Sequence, residues 1–220
     1  MLFYSALAKR SYHQFCGVAR ALDILGERWT LLIIRDLLLG PMRYVDLQHS
    51  LEGITTNLLA TRLKHLDAHG LLNKVPAPPP SGATLYELTP QGQSLRSIVL
   101  ELGRFGAPTM SGGPNDDERI SIRWAMVSLM RRYRGCSRPA LLQLHVAQRS
   151  FVADMRQDEL VMREGLTDAA VTVVRGDEPA WLQWLSSRTS ARTLVETGAL
   201  RREGVARPFA DLTRAIGGTT

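Results

Sequence analysis

Thr55, Thr56, Asn57, Thr61, Arg62 and Lys64 cluster between positions 55 and 64, and the chemistry open to such a set is anion and base recognition, not bond-breaking. Hydroxyls and cations donate to phosphate oxygens, and a carboxamide can pair in bidentate fashion with adenine. The histidines, His13, His49, His65, His69 and His145, form no metal set. His65 and His69 share an i, i+4 spacing that can bind zinc, but no third ligand of suitable geometry follows. There is no Gly-x-Ser-x-Gly, no phosphate-loop lysine and no dinucleotide fingerprint. The chain therefore reads as a non-enzyme, without cofactor or metal.

The cluster needs a helix to present it. Thr55 offers an N-cap oxygen, and Leu59, Leu63 and Leu66 recur at helical spacing as a buried face. The opposite face then carries Thr56, Asn57, Ala60, Thr61 and Lys64, with nothing bulky to obstruct entry into a major groove about 12 Å wide. Gly70 closes this helix. Ahead of it, Val18, Leu22 and Leu25 give a helix ended by Gly26. Arg28 to Leu39 is apolar nearly all round, as a central buried helix would be, and Gly40-Pro41 stops it. Tyr44, Leu47 and Leu51 line a third, short helix before the turn at Gly53. Leu71 to Val75 and Thr84 to Leu88 read as a hairpin around the proline-rich tip Pro76 to Pro80. Helix, tight turn, helix and hairpin together make a winged helix-turn-helix, with Arg43 and Arg62 placed for phosphates and Asn57 for a base. Leu95, Ile98, Val99, Leu102 and Phe105 add a helix with a narrow apolar stripe, the kind that pairs with another helix.

Composition frames this reading. The chain has 220 residues, 45% hydrophobic and 22% charged, values of a globular protein rather than a disordered one. Its apolar runs are far shorter than the roughly 20 residues of a membrane span, and no secretory signal is evident, so a cytoplasmic location is expected. Two cysteines give no disulfide framework. The net charge of +6 favours an anionic partner, but residues 1–107 and the remainder each carry +3, so charge alone locates no surface.

Gly106 to Asp117 collects Pro108, Gly112, Gly113, Pro114 and Asn115, the best linker in the chain. The expected division is a winged-helix domain at 1–107, a linker at 108–117 and a second domain at 118–220. In the latter, Ile120 to Tyr133 reads as a helix. Leu141 to Val146, Ser150 to Arg156, Glu159 to Glu164 and Ala169 to Val174 read as a strand meander. Pro179 to Ser187, Ala191 to Gly198 and Phe209 to Ile216 read as helices. The fold class is thus a mainly α winged helix-turn-helix domain followed by an α+β domain.

Two resemblances extend the reading. The residues Cys16, Leu22, Gly26, Trp29-Thr30-Leu31-Leu32-Ile33-Ile34-Arg35-Asp36-Leu37, Gly53-Ile54-Thr55, Leu58-Leu59, Gly70-Leu71 and Tyr86-x-Leu88-Thr89-x-x-Gly92 make residues 12–106 similar to the HxlR-type (DUF24) winged-helix regulators. That resemblance implies a homodimeric transcriptional regulator on double-stranded DNA, joined through the N- and C-terminal helices of this domain, with Thr55, Thr56, Asn57, Thr61 and Arg62 toward the DNA. It also implies oxidant or quinone sensing for Cys16, whose thiolate a helix N-terminus and Arg20 would favour. The alternative for Cys16 is a small buried interface residue. The wing departs from the family: its tip, Pro78-Pro79-Pro80-Ser81-Gly82, lacks basic residues, and Lys74 is the nearest cation in sequence. Residues 141–216 resemble sterol-carrier-protein-2-like domains through Ala169-x-Val171-x-Val173-Val174-x-Gly176-Asp177 and Thr197 to Gly204. This implies an apolar cavity for a hydrophobic small-molecule effector, with Leu144, Phe151, Met155, Met162, Trp181 and Trp184 as liners. The same six residues would equally fill a core. The resulting expectation is a dimeric regulator on a palindromic operator, whose second domain binds a hydrophobic small molecule or assists dimerisation. The alternative is a lipid- or acyl-binding carrier whose helical half is an interaction module.

Overall fold

The computed structural model describes residues 11–110 and 113–218. Residues 1–10 of the expected first domain, 111–112 of the expected linker and 219–220 lie outside the described residues. The chain divides into two compact units: residues up to 34 together with 41–94, and residues 35–40 together with 95 onward. No helix among the described residues is long and apolar enough to cross a membrane.

The first unit follows the apolar spacing closely. Helices α1 (Gly17–Leu25) and α2 (Thr30–Leu37) are followed by the two-residue strand β1 (Met42–Arg43) and by α3 (Tyr44–Ser50). Then come α4 (Thr56–Ala68), the strands β2 (Leu72–Pro76) and β3 (Thr84–Leu88), and the short helix α5 (Pro90–Ser94). Ile33, Ile34, Leu47, Leu51, Leu59, Leu63 and Leu66 are buried and make its core. The hairpin gains a third strand, because β1 pairs antiparallel with β3 in the order β1-β3-β2. Two residues carry no readable alternation, so β1 was not visible in the sequence. Gly70 ends α4 at φ +67°, a left-handed conformation that glycine adopts without steric cost, while the Leu71 N–H returns to the Leu66 carbonyl at 3.0 Å.

The second unit begins with α6 (Arg96–Gly106), a 3-10 turn over Ala107–Met110, and α7 (Ile122–Arg132). It continues with β4 (Ala140–Val146), β5 (Arg149–Met155), β6 (Leu160–Glu164), β7 (Thr172–Gly176), α8 (Glu178–Leu185), α9 (Ala191–Glu196), β8 (Leu200–Gly204) and α10 (Arg207–Ala215). The sheet order is β6-β5-β4-β7-β8, with β4 and β7 parallel and the other pairs antiparallel. The expected meander is therefore corrected: only β4 to β6 form one, and residues 165–171 then cross back to the far side of β4. Buried Gln143 holds that crossing, donating to the Gly165 and Phe151 carbonyls and accepting from the Thr167 N–H at 2.9–3.1 Å. The edge strand β8, Leu-Arg-Arg-Glu-Gly, is exposed along most of its length, and its charges suit an edge that must resist further pairing. Strand β5 is buried on both faces along its middle, with Val152 buried along with Phe151, Ala153 and Met155.

A polar network roots residues 35–40 in this second unit. Asp36 is buried and accepts from Trp124 Nε1 at 2.9 Å and from Arg35 Nε at 2.8 Å. Arg123, also buried, donates to the Asp36 carbonyl at 2.6 Å and pairs with Glu164. The Glu164 N–H bonds to the Leu39 carbonyl at 2.6 Å.

Candidate nucleic-acid interface

The geometry of the helix-turn-helix is set by hydrogen bonds between α3 and the start of α4. Thr55 caps α4, its hydroxyl accepting from the Leu58 N–H at 3.3 Å. Gln48 on α3 donates through Nε2 to the Thr56 hydroxyl at 2.9 Å, and the Tyr44 hydroxyl donates to the Thr56 carbonyl at 2.6 Å. Burial raises the Tyr44 phenol above its ordinary range, with Tyr86 adding to the shift, so it stays protonated and donating. Tyr44 and Gln48 thus fix the entry angle of α4, a role the one-dimensional reading missed. A polar residue one turn after Tyr44 on α3 was the available signal.

The proposed contact residues separate into two groups. Asn57, Thr56, Ala60, Thr61 and Lys64 are exposed together along one side of α4. Within that set, the Thr56 hydroxyl is engaged by Gln48, and the Thr61 hydroxyl donates back to the Asn57 carbonyl at 2.7 Å. The Asn57 carboxamide and the Lys64 ammonium stand exposed on the same face. Arg62 is placed differently from the expectation. Its guanidinium pairs with Glu27 at 2.6 Å and reaches the Arg28 carbonyl at 3.3 Å, and its side chain is only 16% exposed. It anchors α4 to the α1–α2 turn because a carboxylate 35 positions upstream captures it, a partner that spacing along α4 cannot reveal.

The wing has a cation after all. Arg43, exposed on β1, extends to the tip and donates to the Ser81 hydroxyl at 2.9 Å. Lys74 on β2 lies over the Tyr86 ring, 5.9 Å from its centroid. Sequence neighbours of the proline tip gave no hint of this, since Arg43 arrives from 38 residues away through the β1–β3 pairing.

Cys16 is the exposed N-cap of α1. Backbone N–H groups of Ala19 and then Val18 lower its thiol below the ordinary range. The helix start supplies that shift. The second cysteine, Cys136, lies near the Arg138 and Arg156 carbonyls. His65 and His69 sit with ring centroids 4.3 Å apart, His65 facing the Ile24 carbonyl and His69 the His65 carbonyl. No group of three metal-ligating side chains occurs among the described residues.

In the second unit Leu144, Phe151, Met155, Met162, Trp181 and Trp184 are all buried. The rings of Trp181, Trp184 and Phe209 pack with centroids 5.1–6.3 Å apart. Both indoles are satisfied: Trp181 donates to the His145 carbonyl at 2.9 Å and Trp184 to the Thr213 hydroxyl at 3.2 Å. These six side chains are packed as core in this structure. Aromatic and Met content alone cannot distinguish a lined cavity from a filled one.

Comparison with known proteins bears on the first unit. A family model described as HxlR-like helix-turn-helix matches residues 24–112. The HTH-type transcriptional regulator YodB of Bacillus subtilis (strain 168) is 32% identical over 82 residues, 37% of this chain and 73% of YodB. The chain belongs to the HxlR-like helix-turn-helix family. Its relatives are named as HTH-type transcriptional regulators. YvaP of the same bacterium is 31% identical over 86 residues, 39% of this HxlR-like chain and 80% of YvaP. A regulator of Mycobacterium tuberculosis (strain CDC 1551 / Oshkosh) is 38% identical over 96 residues, 43% of this chain and 60% of that relative, so the match spans three fifths of the mycobacterial protein. The family match ends at 112, and the α+β region beyond it is described by its own geometry.

Proposed function

We propose that the chain is a sequence-specific DNA-binding transcriptional regulator that acts as a homodimer on a palindromic operator. The observation that carries this reading is the unobstructed polar face of α4, with Asn57 and Lys64 exposed and the helix start fixed through Thr56. Asn57 reads a base edge in the major groove, Lys64 and Arg43 neutralise phosphates, and Arg62 keeps α4 in place. Family membership supports the same role.

Dimerisation rests on helices that leave apolar side chains in water. Helix α6 buries none of its residues and exposes Ile98, Leu102 and Phe105. Helix α1 exposes Val18 and Leu22, with Phe15 just before it. A two-fold partner would cover such faces and place two recognition helices about 34–36 Å apart, demanding half-sites one turn apart. The second unit, an α+β module whose sequence resembles sterol-carrier-protein-2-like domains at Gly176-Asp177, serves in this reading as an accessory module. Selection from a random-sequence duplex pool tests the proposal: an enriched inverted repeat with half-sites one turn apart supports it, and a pool that never converges overturns it.

A further inference from the structure

We propose that a cleft in the second unit, lined by Arg104, Arg131, Arg132, Tyr133 and Arg134, binds a small molecule carrying a phosphate or polyphosphate group. The cleft has a volume of about 500 Å³, within the range of small-molecule sites. Its remaining walls are Ile216 and Gly217, after the end of α10. Four arginines from α6, the end of α7 and the residues after it therefore line one concavity.

Their other bonds hold them there without neutralising them. Arg132 donates from Nε to the Ile216 carbonyl at 3.1 Å, from Nη2 to the Ser187 hydroxyl at 3.2 Å, and to the Leu185 carbonyl. Arg131 donates to the Ser128 hydroxyl at 2.9 Å, and Arg104 to the Arg131 carbonyl at 3.1 Å. The acceptors are carbonyls and hydroxyls. Glu101, paired with Arg104, is the one carboxylate in an ion pair with these four arginines among the described residues. A guanidinium has five N–H donors, so the set holds more donors than these bonds use. Burial, and then the charge of Arg104, lowers the Arg131 guanidinium below its usual range; burial, and then Arg131, does the same to Arg132. Like charges held together at partial burial are a cost that a bound anion relieves. Gly103 admits the arrangement, since a Cβ there would stand 2.9 Å from Cδ of Arg131.

The class of anion follows from geometry. One planar fork matches a carboxylate, whereas several forks arriving from different segments match the three terminal oxygens of a tetrahedral phosphate. Titration calorimetry of the full chain with pyrophosphate tests this. The expected result is saturable binding that weakens with salt, at least tenfold weaker in Arg131→Gln and in Arg134→Gln, with tricarballylate at least tenfold weaker than pyrophosphate. Arg134 is exposed, so its variant keeps the fold, which a wild-type melting curve checks. Absence of binding at millimolar pyrophosphate, wild-type affinity in both variants, or equal affinity for tricarballylate and pyrophosphate overturns the proposal. So does displacement of pyrophosphate by random-sequence duplex that itself binds more weakly to Arg134→Gln, which would make the cleft a nucleic-acid backbone contact.

Discussion

Within α4, neighbouring polar residues have separate jobs, and substitutions should separate them. Asn57→Ala should cost about 1–3 kcal/mol on a specific site and relax discrimination at one or two base pairs. Lys64→Ala should weaken specific and random DNA alike and reduce the salt slope by about one. Arg62→Ala should leave that slope unchanged and instead lower stability by about 1–3 kcal/mol in urea melts, because it removes the bonds that tie α4 to Glu27 and to the Arg28 carbonyl in the α1–α2 turn. A slope that falls with Arg62→Ala would return that side chain to the phosphates. The sequence made the leucine period and the Thr55 cap of α4 legible, since both are local. It could not tell Arg62 from Lys64, because what distinguishes them is Glu27, 35 positions away. His65 adds a pH signature. Burial, and then the neighbouring His69, lowers its pKa, so the unfolded chain binds the proton more readily than the folded one. Stability contributed here is full above the ordinary histidine range near 6.5 and declines as pH falls through it. His145, lowered by burial and then by Arg175, acts in the same direction. Melting temperatures should drop between about pH 7.5 and 5.5, and His65→Gln with His145→Gln should flatten that drop.

Helices, strands and turns differ in how far their neighbours in sequence decide them. The hairpin β2–β3 and the capped helix α8 (Asp177 accepts from the Ala180 N–H at 2.9 Å) were readable from short patterns. Strands β1 and β8 were not: one is two residues long, and the other is a charged edge without alternation. The crossover at 165–171 was equally hidden, because it depends on Gln143, a polar residue buried in β4. The narrow stripe on α6 was legible as a helix wanting a partner, and its exposed face agrees, with Leu102 48% and Phe105 86% exposed. Leu102→Asp should therefore yield monomers by sedimentation with much weaker operator binding, while far-ultraviolet dichroism stays unchanged. A dimer that persists in Leu102→Asp would remove α6 from the interface.

The molecule as a whole is two compact units whose boundaries do not follow chain order, since residues 35–40 group with the C-terminal unit. A chain cut after residue 112 loses Trp124, Arg123 and Glu164, the partners of Asp36 and Leu39. Each buried polar group so orphaned costs about 1–3 kcal/mol, so the truncated chain should be less stable than its winged-helix core alone suggests. Trp124→Phe in the full chain isolates one such bond and should cost a similar amount in denaturant melts. No linker motif betrays this dependence, because the Arg35-Asp36 pair sits in the last turn of α2 and meets its partners only after folding. The central claim, that the exposed face of α4 reads sequence, is tested most directly by fluorescence anisotropy of wild type and Asn57→Ala on an enriched operator and on scrambled duplex across a range of salt. Wild type should prefer the operator strongly, and Asn57→Ala should lose about fivefold or more on the operator while its affinity for scrambled duplex is unchanged. Equal losses on both duplexes, or equal wild-type affinity for both, would contradict it.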